Sequence, residues 1–158
     1  MSDRQENEKG LHDISWVLEV LPHRYPMLLV DRVLELDRGQ RLVAIKNVTI
    51  NEGVFQGHFP QQPVLPGVLM IEGMAQAGGI LLFADLDPAE RDHYLLYFSA
   101  IDRARFRRPV IPGDQLRYEV ELVRRRQAVC KVDAVARVEG EVAAEARLSS
   151  TLVRRRDP

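Results

Sequence analysis

Between Val64 and Leu86 the only polar side chains before Asp85 are Glu72 and Gln76, so a helix over this stretch is apolar on every face and has to be buried. Glu72 and Gln76 are four apart and share one face of that helix. Pro66 suits its first turn, where a missing N–H goes unnoticed, and Asp85 to Pro88 supply the stop. About 19 helical residues span roughly 28 Å, enough to cross a small domain.

Downstream the pattern changes to a period of two. Leu116, Tyr118, Val120 and Leu122 alternate with Arg117, Glu119 and Glu121, and Cys130, Val132, Ala134, Ala136 and Val138 alternate with Lys131, Asp133 and Arg137. Val142, Ala144, Ala146, Leu148 and Leu152 form the inward face of a last strand. Such alternation is that of half-buried antiparallel strands, and turns at Pro112-Gly113-Asp114 and Glu139-Gly140 join them as a meander. Tyr94 to Ile101 and Ala104 to Val110 predict two further strands. Upstream, Asp13 caps a short helix that Pro22 ends, the run LPHRYP is turn-rich, and Met27–Leu36 and Arg41–Ile50 predict a hairpin about Asp37-Arg38-Gly39.

One buried helix and an antiparallel sheet make an α+β domain. A flat sheet cannot cover a helix that is apolar all round; the sheet curls round it, or a second copy covers the remainder. Gly73, Ala75, Ala77, Gly78 and Gly79 let the helix approach the sheet closely.

At 158 residues and 46% apolar, the chain is the size of one domain with a real core. Residues 1–10 are polar and lack the apolar core of a secretory signal, which predicts a cytoplasmic protein with a disordered N-terminal segment, a single domain over 11–153 and a basic tail over 154–158. Cys130 is the only cysteine, which excludes an internal disulfide and a thiolate metal cluster, and the four histidines lack metal-ligand spacing. A membrane span fits poorly, because an acid at mid-bilayer costs about 2.5–3.5 kcal/mol and no aromatic belt flanks the helix. Charge is uneven: residues 1–102 hold 8 basic against 15 acidic side chains, and residues 103–158 hold 14 against 8. That asymmetry fits an acidic partner for the C-terminal part, or arginines on the solvated faces of strands.

His58 stands on a constrained turn between Gly57 and Phe59-Pro60, just upstream of the helix that carries Glu72. An unpaired buried carboxylate costs several kcal/mol, so an acid amid apolar helix calls for a partner or a purpose. An imidazole with an ordinary pKa of about 6.5 and a carboxyl whose desolvation favours its neutral form are a base and an acid suited to neutral pH.

Five blocks, LPHRYPMLLVDRV (21–33), KNVTINE (46–52), GHFP (57–60), PVLPGVLMIEGMAQ (63–76) and IDRARFRRPVIPGD (101–114), occur in one order and closely resemble the 3-hydroxyacyl-acyl-carrier-protein dehydratases of the FabZ type. The resemblance implies a hotdog fold, a long central helix wrapped by a curved antiparallel sheet, dimerised into a continuous sheet and often assembled as a trimer of dimers. It implies an active site at the dimer interface, with His58 facing Glu72 of the partner subunit, and dehydration of a (3R)-3-hydroxyacyl thioester to the trans-2-enoyl product in fatty acid biosynthesis. Gln61-Gln62, Gly53-Val54 and Gly73 depart from the residues usual in that family. The isomerising relatives carry aspartate where Glu72 stands.

On this reading His58 abstracts the alpha proton and Glu72 protonates the departing hydroxyl, or orients a water while His58 handles both protons. Free N–H groups at the helix N-terminus beside Gly67 meet the thioester oxygen, Gln76 holds the carboxyl or pairs only with backbone, and Phe59 joins the substrate site. Arg103, Arg105, Arg107 and Arg108 offer an acidic carrier protein a docking surface. No cofactor or metal enters, and neither nucleic acid nor membrane is a partner. The alternatives are a hotdog acyl-thioester hydrolase and a non-catalytic acyl-binding subunit.

Overall fold

The computed structural model describes residues 11–156; the expected N-terminal segment 1–10 and the last two residues lie outside them. In chain order the elements are α1 (Ile14–Val20), β1 (Arg32–Asp37), β2 (Arg41–Asn47), a short 3₁₀ turn (Gly53–Gln56), α2 (Gly67–Phe83), α3 (Pro88–Arg91), β3 (Tyr94–Phe106), β4 (Gln115–Arg126), β5 (Val129–Val138) and β6 (Glu141–Arg154). The six strands form one sheet in the order β1-β2-β4-β5-β6-β3, antiparallel at every pairing. α2 packs against β2, β4, β5 and β6, so the sheet curves round it as an apolar helix demands. Every residue from Gly73 to Phe83 is buried.

The alternation in β4 and β5 survives in the structure: Leu116, Tyr118, Val120, Val132, Ala134, Ala136 and Val138 are buried and their neighbours are not. A Cβ on Gly78 would stand 3.3 Å from Val132 Cγ2 and one on Gly79 3.1 Å from Leu96 Cδ2, which shows how the small residues bring helix and sheet together.

Several boundaries differ from the pattern-based expectation. α2 starts at Gly67 because Pro66, with φ −54° and ψ 131°, is extended and takes the N-cap position. It ends at Phe83, where the Arg91 Nε donates to the Phe83 carbonyl at 2.9 Å and an Arg38 guanidinium N–H donates to that of Ala84. β1 starts at Arg32 rather than Met27, because the Gln76 amide takes the backbone of that segment: Nε2 donates to Met27 O at 2.6 Å and Oε1 accepts from Leu29 N at 2.8 Å. β3 is one strand rather than two and ends at Phe106; the break read near Ile101 is a bulge between Asp102 and Arg105, with Arg103 at φ 54°. At the far end β6 runs through Arg154, which pairs with Tyr94, and Arg155 N donates to His93 O at 2.7 Å, so the basic run begins inside the sheet.

β3 is an edge strand of 13 residues, on which Tyr97, Phe98 and Ile101 are 56%, 41% and 49% exposed. Long apolar edges of this kind invite pairing with another chain. Among the described residues no helix is long and apolar enough to cross a membrane.

Candidate active site

His58 owes its orientation to a short closed loop. Its N–H donates to Val54 O at 3.0 Å, its carbonyl accepts from Val64 N at 3.0 Å, and Phe59 and Gln62 exchange two backbone hydrogen bonds between them. The His58–Phe59 peptide is cis. The ring Nδ1 lies 2.6 Å from Val64 O. A carbonyl only accepts, so Nδ1 carries the hydrogen and Nε2 keeps its lone pair, the tautomer a general base needs. Phe59 stacks on the ring, with centroids 4.1 Å apart.

The imidazole lines a cavity of about 560 Å³. One wall is the start of α2, with Leu65, Gly67, Val68 and Met70; the other is Phe106 followed by Arg107, Arg108 and Pro109. A Cβ on Gly67 would sit 2.8 Å from the Phe106 ring, so glycine is what lets this ring lie against the helix N-terminus. Among the described residues no acceptor meets the Gly67 and Val68 N–H groups. Unpaired N–H groups at the positive end of a 17-residue helix are suited to an oxygen that gains negative charge.

Glu72 opens onto a second, smaller space of about 30 Å³, shared with His23, Ala75, Gln76, Leu96, Phe98 and Ser150. Its side chain is 20% exposed rather than enclosed, because part of its surroundings is the open β3 side of the molecule. Gln76 Nε2 donates to Glu72 Oε1 at 3.0 Å while the same amide grips Met27 and Leu29, so it both pairs with backbone and holds the carboxyl. His23, in the turn-rich LPHRYP run, stands with its Nε2 3.6 Å from Glu72 Oε1. Burial lowers the His23 pKa, the Glu72 carboxylate opposes that, and Arg24 adds to it. The signal for His23 was its place in the LPHRYP block, where nothing about spacing alone connects it to a carboxylate 49 residues on.

Within one chain, then, the two candidate catalytic groups line different cavities. Phe59 is 52% exposed and touches the site through His58 rather than through the cavity wall. Of the four arginines, Arg107 and Arg108 reach the cavity; they are ion-paired to Glu145 and Glu141 of β6 respectively. Arg105 donates to its neighbour Ala104 O and Arg103 sits on the bulge, both off the cavity wall.

Residues 21–147 match the FabA-like domain. A 3-hydroxyacyl-[acyl-carrier-protein] dehydratase FabZ from Helicobacter pylori (strain P12) is 46% identical over 158 residues, covering 98% of this chain and 99% of its own. The FabZ of Paracidovorax citrulli is 56% identical over 140 residues, 89% of this chain and 96% of its own. The chain belongs to the FabZ dehydratases of the FabA-like family. Its fold is accordingly the hotdog fold, and among solved structures the dehydratase heterocomplex ApeI:P from Xenorhabdus doucetiae superposes with a TM-score of 0.75 at 23% identity over 88% of this chain and 91% of that one. Membership of the FabZ family covers both the GHFP turn and the helix with Glu72, since the match spans them.

Proposed function

We propose that this FabZ-family chain dehydrates (3R)-3-hydroxyacyl groups on acyl carrier protein to the trans-2-enoyl form in fatty acid biosynthesis, at sites made of His58 from one subunit and Glu72 of the partner subunit. The observation that carries the reading is the His58 ring, whose Nδ1 is committed to Val64 O and whose Nε2 is left basic in a cavity beside the N-terminus of α2.

Nε2 takes the alpha proton. The Nδ1–H bond to Val64 O steadies the imidazolium as it forms. Charge moving onto the thioester oxygen is met by the N–H groups of Gly67 and Val68, and loss of one such donor typically costs about 2.7–4 kcal/mol. As the C–O bond breaks, the Glu72 carboxyl gives its proton to the departing hydroxyl, and the pair of electrons from the C–H bond becomes the new C=C bond. Water leaves, and the proton on His58 and the vacancy on Glu72 are restored through solvent.

Joining two β3 edges supports the shared site: it would cover Tyr97, Phe98 and Ile101 and close the side onto which Glu72 opens. Assembly of such dimers in threes, and a cytoplasmic location, go with the same reading. Arg107 and Arg108 at the cavity, with Arg103 and Arg105 behind them, support docking of an acidic carrier.

The test is to incubate purified protein with (3R)-hydroxybutyryl-pantetheine and follow enoyl absorbance and free thiol together. Enoyl formation without thiol release is the expected result. Thiol release alone would make the chain a hydrolase, and binding without turnover would make it an acyl-binding subunit.

A further inference from the structure

We propose that His23 is a positioning residue for dehydration: its dipole faces the same Oε1 of Glu72 that Gln76 hydrogen-bonds, and so assigns the proton transfer to Oε2. The proposal rests on the reading of Glu72 as the proton donor. Two groups approach the carboxyl within the chain, and both approach the same oxygen: Gln76 Nε2 at 3.0 Å and His23 Nε2 at 3.6 Å. Gln76 cannot present its carbonyl instead, because Leu29 N–H requires an acceptor and Met27 O a donor, and a flipped amide would fail both.

The His23 tautomer follows from its two nitrogens. Nδ1 is buried with no hydrogen-bond partner. A hydrogen placed there would be an unpaired buried donor directed at nothing, whereas a hydrogen on Nε2 points to Glu72. At 3.6 Å the contact is longer than a hydrogen bond and acts as a dipole facing a carboxyl oxygen. Burial favours the neutral ring, which offers this dipole without adding a full charge to the site.

His23 is held firmly enough to serve. Arg24 donates to Leu18 O at 2.9 Å, Leu21 O at 2.8 Å and His23 O at 2.6 Å, which ties the end of α1 to the histidine's own backbone. The ring therefore reaches Glu72 from a clamped turn, and Gln76 reaches it from one helical turn along α2. With Oε1 hydrogen-bonded by Gln76 and faced by His23, Oε2 is the oxygen with no donor from the described residues, free for the substrate hydroxyl.

The experiment compares wild type, His23→Leu and His23→Gln on (3R)-hydroxybutyryl-pantetheine, alone and combined with Glu72→Gln, and reads the His23 tautomer in the wild-type protein by ¹⁵N NMR. Loss of the dipole in His23→Leu should lower kcat by about 10- to 100-fold with KM within about two-fold, as misplacement of a reacting group does. His23→Gln, which keeps an N–H donor, should recover most of that loss, and His23→Leu should cost nothing further once Glu72 is Gln. An unchanged kcat in His23→Leu, equal loss in the Leu and Gln variants, or a hydrogen found on Nδ1 would each overturn the proposal; the last needs no variant to fold. Failure of the underlying reading is distinct: wild type would yield no enoyl product, or Glu72→Gln alone would retain full turnover.

Discussion

A side chain added at Gly73 of α2 would be driven into the hydroxyl of Tyr118, which is wholly buried and donates from that hydroxyl to Leu29 O at 3.2 Å. The glycine and the tyrosine thus fill one volume between helix and sheet. Gly73→Ala should destabilise the fold by about 1–3 kcal/mol, as overpacking does. Combining it with Tyr118→Leu should recover part of the loss, so that the two changes are not additive in urea denaturation. Additive losses would show that the two positions do not share the space.

The proposed division of the active site between subunits makes a clear forecast for mixed proteins. His58→Ala and Glu72→Gln should each lower kcat by about 10²–10⁴-fold. Co-expressed in equal amounts and purified without separating the species, they should recover about a quarter of wild-type activity, because half the dimers are then mixed and each mixed dimer carries one intact site of two. If both groups acted within one chain, mixing would recover nothing.

Stability should depend on pH through His23. Burial holds its pKa below the usual 6.5, so on acidification the unfolded chain binds a proton before the folded one does. Its contribution is complete above about 6.5 and falls as pH drops from there toward the lower folded value. The urea midpoint of wild type should therefore fall more between pH 7.5 and 5.5 than that of His23→Gln. Equal falls would rule the histidine out as the cause.

Charge reversal at Arg107 and Arg108 should raise KM for carrier-bound substrate and leave a small pantetheine thioester unaffected. Both arginines already face carboxylates of β6, and Arg107 holds the Glu145 carboxyl below its usual pKa. The variant pair should therefore also repel Glu145 and Glu141, which Glu145→Lys with Glu141→Lys would relieve without restoring carrier affinity. Equal loss on both substrates would argue against docking there.

Much of this arrangement is legible in the sequence itself. α2 could be read because no amphipathic helix carries only Glu72 and Gln76 as polar residues, and β4 and β5 because one face of each is buried and the other is not. The GHFP turn and the acid on the helix marked the candidate pair, since a histidine and a carboxyl in such settings need a reason. The rest depended on distant groups meeting. Nothing in the run Met27 to Asp31 says that Gln76 will occupy its backbone and delay β1, and nothing in LPHRYP says that His23 faces Glu72. Gly73 looked like one more small residue; only Tyr118, arriving from β4, makes it obligatory.

The partner that sets the His58 tautomer is a main-chain carbonyl, that of Val64. No side-chain replacement at position 64 can delete it, so the protonation pattern of the imidazole is inherited with the path of the loop and is indifferent to drift in the loop's composition. What would break it is a change in length between 58 and 64. The tautomer that the proposed base needs is therefore protected against substitution and vulnerable to insertion or deletion, the reverse of a histidine oriented by an aspartate.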